Sequence, residues 1–218
     1  MNQNIIVIDD FYKNPNEVRN FALNAEYPKQ DSDSDDYTYP GRNSLQEFYS
    51  KEIHQCFEEI LKEELRPSQP NGYFRISLKQ DTYKQDIHVD PGWKWGAVIY
   101  LSKPEDCVPE GGTSFWRHNN LNWEGCPRTD DEAKVYGYPS YKESWWTTVY
   151  GDGLNRSKRT RYFLCPMKFN RLVIFKTHLW HSHNYNFGDN LENGRLVQLF
   201  FFNPVRKDKE YDCYYSFS

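Results

Sequence analysis

The chain reads as an α+β, β-dominated fold in which an N-terminal strand and helices buttress a closed β-core. Three observations predict it. Helix-start signals and helical spacing are confined to residues 1–70. Beyond them, short runs rich in Val, Ile, Phe and Tyr are separated by Gly, Pro and Asn. Aromatics make up 17% of the residues, which suits strands and leaves material for a flat-walled pocket. A double-stranded β-helix of jelly-roll or cupin-like type is the natural closed form for such strands. Periodicity alone leaves another sandwich open. Residues 1–218 fit one domain with a sizeable core. The β-core is expected over 71–218, with 119–168 as a lid-like insertion.

Ile5-Ile6-Val7-Ile8-Asp9-Asp10 is a short apolar strand. Asn14-Pro15-Asn16-Glu17 opens a helix, with Asn14 as cap, Pro15 at the first helical position and Glu17 completing a capping box. Val18, Phe21, Ala22 and Ala25 recur at helical spacing and form its inward face. Asp31-Ser32-Asp33-Ser34-Asp35-Asp36 reads as a solvated acidic loop. Ser44-Leu45-Gln46-Glu47 matches a second capping box, opening a helix with Ile53, Cys56, Phe57, Ile60 and Leu61 on its buried stripe. His54 lies off that stripe and is expected to be exposed, not a ligand. Arg66–Gly72 is a Pro- and Gly-containing turn. Strands are expected at Phe74–Leu78, Gly96–Ser102, Asn170–Phe175 and Gly194–Phe200.

Segment 119–168 is long for a connection. It holds Trp123, Trp145, Trp146 and a basic cluster of Arg156, Lys158, Arg159 and Arg161. A binding loop is one reading; tryptophans sealing the barrel beside a solvated basic loop is the plainer one.

Composition narrows the function classes. The net charge of −4 and a pI near 5.9 argue against bulk binding to nucleic acid or anionic membranes. No apolar stretch is long enough to span a bilayer, and Met1-Asn2-Gln3-Asn4 does not resemble a signal peptide. Cys56, Cys107, Cys126, Cys165 and Cys213 form no C-x-x-C pair, which suits a reducing, cytoplasmic setting.

The chemistry centres on His88-Val89-Asp90. In extended backbone, residues two apart point to the same face, so an imidazole and a carboxylate meet at one point. A histidine from a distant strand completes two nitrogens and one oxygen around a metal. That set is the facial triad of non-haem Fe(II) oxygenases, with positions left for cosubstrate and O2. His178, His181 and His183 crowd one downstream segment; the last two share strand parity and His178 does not. His183 and, beyond Phe115-Trp116-Arg117, His118 can line a pocket, with Trp116 a further substrate contact; a structural hydrogen bond is the plainer role for His183.

His88/Asp90, Tyr100-Leu101-Ser102, Gly111-Gly112-Thr113-Ser114-Phe115, His181 and Arg195 follow one another in an order that resembles the prolyl-hydroxylase-like branch of the 2-oxoglutarate- and Fe(II)-dependent oxygenases. The likeness runs from about Phe74 to Asn203. It implies the jelly-roll fold, His88, Asp90 and His181 as iron ligands, and Arg195 as partner of the distal carboxylate of 2-oxoglutarate. It also places Tyr100 beside that carboxylate. Leu78 departs from the pattern, since relatives often carry a tyrosine there. An arginine suits the task because its fork binds a carboxylate bidentately and stays charged when buried. Related halogenases lack the carboxylate ligand, so Asp90 favours hydroxylation. The implied substrate is a protein side chain or a small amino-acid-like molecule. Two rivals remain: a jelly-roll metal oxygenase that does not use 2-oxoglutarate, and a non-enzymatic jelly-roll binding module. A helix face beside a barrel also makes a dimer possible.

Overall fold

The computed structural model describes residues 4–28, 40–81 and 86–205. The acidic loop at Asp31–Asp36 and Cys213 lie outside the described residues. Two antiparallel sheets face each other. The larger contains β1 (Ile5–Ile8), β2 (Arg42–Glu47), β3 (Leu65–Pro67), β4 (Tyr73–Ser77), β5 (Trp95–Tyr100), β8 (Leu172–Lys176) and β10 (Arg195–Pro204). Its order is β1-β8-β5-β10-β4-β2, with β3 pairing on the far end of β10. The smaller sheet runs β7-β6-β9, from Arg159–Cys165, Thr113–His118 and His181–His183. This is the jelly roll expected from the sequence.

The central strands are largely apolar because both of their faces are covered. On β8, Leu172 and Ile174 face one way and Val173 and Phe175 the other; β5 and β10 divide in the same manner. One set meets two helices, α1 (Pro15–Leu23) and α2 (Lys51–Leu61), through Val18, Ala22, Ile53 and Phe57. The other set fills the space between the sheets with Val98, Tyr100, Phe115 and Val197.

Two local signals are read differently by the fold. Ser44–Glu47 is an edge strand, not a helix start. The Ser44 hydroxyl accepts the Phe74 N–H, and the Glu47 carboxylate accepts that of Asn71, so both groups serve sheet and turn. Helix α2 starts later, capped by Ser50, whose hydroxyl accepts the Ile53 N–H. Cys56 is exposed on it, and His54 is half-buried, bonded to Tyr49 and paired with Glu58. In α1 the Asn14 side chain makes no capping bond. Phe21 stands at the rim, 40% exposed, while Arg19 takes the buried position at 2%.

Arg19 earns that position through hydrogen bonds. Its guanidinium donates to the carbonyls of Leu101 at 3.0 Å and Glu192 at 2.6 Å, tying the helix to both ends of the β5–β10 corner. Arg19→Ala would strand two carbonyls that a cation now satisfies. We expect a loss of about 3 kcal/mol of unfolding free energy, read as a lower urea midpoint at unchanged slope.

Segment 119–168 carries α3 (Asp130–Val135), α4 (Tyr141–Trp145), a wider π-helical turn at Trp146–Gly151, a tighter 3-10 turn at Arg156–Lys158 and, at its end, β7 of the smaller sheet. Trp145 joins Ile87, Val89, Trp116, Cys126, Val149 and Trp180 in a separate core. Its cations are paired one by one: Arg156 with Asp86, Lys158 with Asp152, Arg161 with Glu110. Arg159 is buried on the carbonyls of Asp152 and Thr148 with Trp180 beneath it. The described cysteines are free thiols, and no described helix is long and apolar enough to cross a membrane.

Candidate metal centre

His88 and His181 meet through a single reciprocal pair. Each backbone N–H donates to the other's carbonyl, 2.9 Å both ways. This bridge extends the smaller sheet by one position, so His88 is held in extended backbone without a regular strand around it. Asp90 follows, its N–H bonded to the Thr177 carbonyl at 3.0 Å. One donor atom each of His88, Asp90 and His181 lies within 4.8 Å of the others.

Each imidazole is oriented from behind. His88 Nδ1 lies 2.8 Å from the Asp86 carbonyl, and His181 Nδ1 lies 2.8 Å from that of Leu179. A carbonyl only accepts, so Nδ1 carries the hydrogen and Nε2 is left with a lone pair when the ring is neutral. Burial, with His181 beside it, pushes His88 down to about 3, so its ring is neutral. His88 Nε2 then faces Asp90 Oδ1 at 3.7 Å, and His181 Nε2 faces Oδ2 at 3.1 Å. Burial alone would raise the Asp90 carboxyl, but the imidazoles and Arg75 outweigh it and hold it low. Three electron-pair donors converging on one point fit a cation. Bonds of about 2.1 Å at right angles would separate such donors by about 3 Å.

The triad opens onto a cavity of about 400 Å³ between the sheets. Arg195, the first residue of β10, lies on its wall and is 5% exposed. Its Nε donates to the Gly111 carbonyl at 2.7 Å, and among the described residues no carboxylate pairs with it. Burial draws its pKa down to about 10, still far above neutrality. The double glycine lets the chain pass close to Cys165 and Phe187. A side chain at Gly112 would start 1.9 Å from the Cys165 carbonyl, and one at Gly111 would start 2.7 Å from the Phe187 ring.

The other expected site residues divide. His183 lines the cavity, and its ring is kept neutral by burial and by Arg195 and Arg75 nearby. Tyr100 is fully buried behind the wall and spends its hydroxyl on Thr113 Oγ1 at 2.8 Å; Thr113 is the residue that reaches the cavity. Trp116 and His118 are not on the wall. Trp116 belongs to the Trp145 core and donates from Nε1 to Ser182 Oγ. His118 is buried in a pair with Asp152 at 3.1 Å. His178 stands outside the triad against Gly125.

Sequence reasoning passed over Arg75, Tyr73 and Asn43, which line the cavity from β4 and β2. On β4 the alternation Tyr73, Arg75, Ser77 against Phe74, Ile76 was the available signal, since a charged residue on the inward parity of a buried strand calls for a ligand or partner.

The fold has solved counterparts. The carbocyclase SnoK from nogalamycin biosynthesis, described as non-heme and alpha-ketoglutarate-dependent, superposes with a TM-score of 0.52 at 14% identity, over 92% of this chain and 79% of that one. HygX from Streptomyces hygroscopicus, solved with nickel, 2-oxoglutarate and hygromycin B, gives 0.49 at 14% identity over 93% and 83%. A Pseudomonas putida prolyl-4-hydroxylase gives 0.44 at 11% identity over 93% and 94%. At 14% identity the likeness to SnoK is one of fold. No curated protein matches the sequence. The family described as "Family of unknown function (DUF6445)" matches residues 1–202, and this chain belongs to it.

Proposed function

We propose that the chain is an Fe(II)- and 2-oxoglutarate-dependent oxygenase that hydroxylates an unactivated C–H bond of a small amino-acid-like molecule or a protein side chain. The observation that carries this reading is the pairing of a facial triad with a buried arginine, both on one cavity. SnoK, which shares the fold, is described as depending on the same cosubstrate. When bound, iron, 2-oxoglutarate and O2 supply the oxidising power: the keto acid leaves as succinate and CO2, and one oxygen atom enters the substrate.

The chain's own residues hold and shield that chemistry. His88 and His181 hold the metal through Nε2, and the Asp86 and Leu179 carbonyls keep both rings in the ligating tautomer. Asp90 supplies the third donor and part of the compensating charge. Arg195 is the fixed cation for the far carboxylate of the cosubstrate, since a buried guanidinium without a carboxylate partner is costly until an anion arrives. Thr113 already accepts from Tyr100, so its own hydroxyl hydrogen is left to donate to that carboxylate. Phe175, Val98 and Val197 give the cavity apolar walls that limit water. Arg75, Tyr73, Asn43 and His183 line the remaining space and are the groups we assign to substrate. The setting we propose is cytoplasmic.

Anaerobic addition of Fe(II) and then 2-oxoglutarate to metal-free protein should give the visible charge-transfer band of a chelated complex. Asp90→Ala should weaken or abolish it. A folded protein that binds iron but shows no band with 2-oxoglutarate would exclude the cosubstrate assignment.

A further inference from the structure

His88 has little regular structure to hold it. It joins the sheet by one isolated bridge, to His181. Yet the carbonyl that orients its ring belongs to Asp86, and the Asp86 side chain is engaged as well. That carboxylate, 4% exposed, accepts two bonds from Arg156: Nε to Oδ2 at 2.5 Å and Nη2 to Oδ1 at 3.0 Å. A bidentate fork fixes the plane of the carboxylate and, through it, the position of the residue.

We propose that Arg156, reaching out of segment 119–168, is a positioning residue that sets the His88 imidazole for the metal by gripping Asp86. The inference rests on the reading of His88 as a metal ligand. Two further contacts place the same segment behind the centre. The Ile87 N–H donates to the Gly153 carbonyl at 3.1 Å, and Ile87 is fully buried in the tryptophan-rich core. Gly153 has to be small there: a Cβ would sit 2.2 Å from the Val149 carbonyl and 3.2 Å from that of Ile87. Arg156 also reaches toward the second histidine. Its guanidinium lies 5.4 Å from the centroid of the Trp116 ring, and Trp116 donates to Ser182 at 3.0 Å, the residue between His181 and His183. One arginine thereby touches the supports of both imidazoles. Segment 119–168 then serves the metal centre as a brace from outside the barrel.

The test is anaerobic titration of the full chain with Co(II), followed by visible absorption, for wild type, Arg156→Ala, Arg156→Lys and Asp86→Asn. Arg161→Ala is the control, since it removes the same charge from the same segment but pairs with exposed Glu110. Arg156→Ala and Asp86→Asn should each raise the Co(II) Kd by about tenfold or more and alter the ligand-field bands. Arg156→Lys should recover part of the loss, because it restores charge without the fork. Arg161→Ala should bind as wild type does. Should Arg156→Ala not fold, the isosteric Asp86→Asn carries the same decision. Wild-type Kd and spectrum in Arg156→Ala and Asp86→Asn would overturn the brace and leave the ligand reading intact. So would an equal loss in Arg161→Ala, which would point to net charge alone. A wild type that binds no Co(II) would overturn the ligand reading and the brace with it.

Discussion

His181→Ala is expected to lose metal binding, while His183→Ala keeps it. The two histidines stand two apart on β9 and both line the cavity, so strand parity alone does not separate them. The structure separates them. His181 Nδ1 is committed to the Leu179 carbonyl and its Nε2 stands 3.1 Å from Asp90, whereas His183 is not among the converging donors. Removing a partner that only orients a ligand costs about 10–100-fold in metal affinity, and removing the ligand itself should exceed that. Calorimetric titration with Fe(II) under argon reads the difference directly. Metal binding that survives His181→Ala and disappears in His183→Ala would reverse the assignment.

Arg195→Ala should raise the KM for 2-oxoglutarate far more than it lowers iron affinity. Truncating one side of a buried, hydrogen-bonded charge pair costs about 2–5 kcal/mol, which is about thirtyfold or more in affinity. Arg195→Lys should fall between, since an ammonium keeps the charge and loses the planar fork. The readout is the dependence of 2-oxoglutarate turnover on its concentration at saturating Fe(II). Unchanged cosubstrate dependence in Arg195→Ala would remove the arginine from the cosubstrate site, whereas a wild type that turns over no 2-oxoglutarate would favour an oxygenase of this fold that works without it.

Most of the centre was legible because its placement follows from strand parity. His88 and Asp90 stand two apart in extended backbone, His181 follows the apolar run of β8 by a short turn, and Arg195 opens the long apolar run of β10. Tyr100 was misplaced by a single layer: its parity is inward, but Thr113 stands between its hydroxyl and the cavity. The helix starts were less legible. Ser44–Glu47 carries a capping-box pattern, yet at the sheet edge the Ser44 and Glu47 side chains accept the N–H groups of Phe74 and Asn71 from distant chain. Asp86 was invisible for a different reason. It acts through a backbone carbonyl and through an arginine 70 residues away, and neither leaves a local pattern. Arg75 was read only as part of a strand, although its alternation with Phe74 and Ile76 on β4 sets it on the opposite face from the helix-covered core.

The position of β10 governs the order in which this chain can fold. It is the last described strand, yet it lies inside the larger sheet, with β4 on one side and β5 on the other. Until it leaves the ribosome, both of those strands present bare edges, which are templates for wrong pairing. Its partners were synthesised about a hundred residues earlier, and such long-range closure is slow. His181 and Arg195 emerge with this final portion, so the candidate metal centre and the sheet are completed together. Deleting β10 would therefore be expected to yield aggregation in place of a smaller, metal-binding domain.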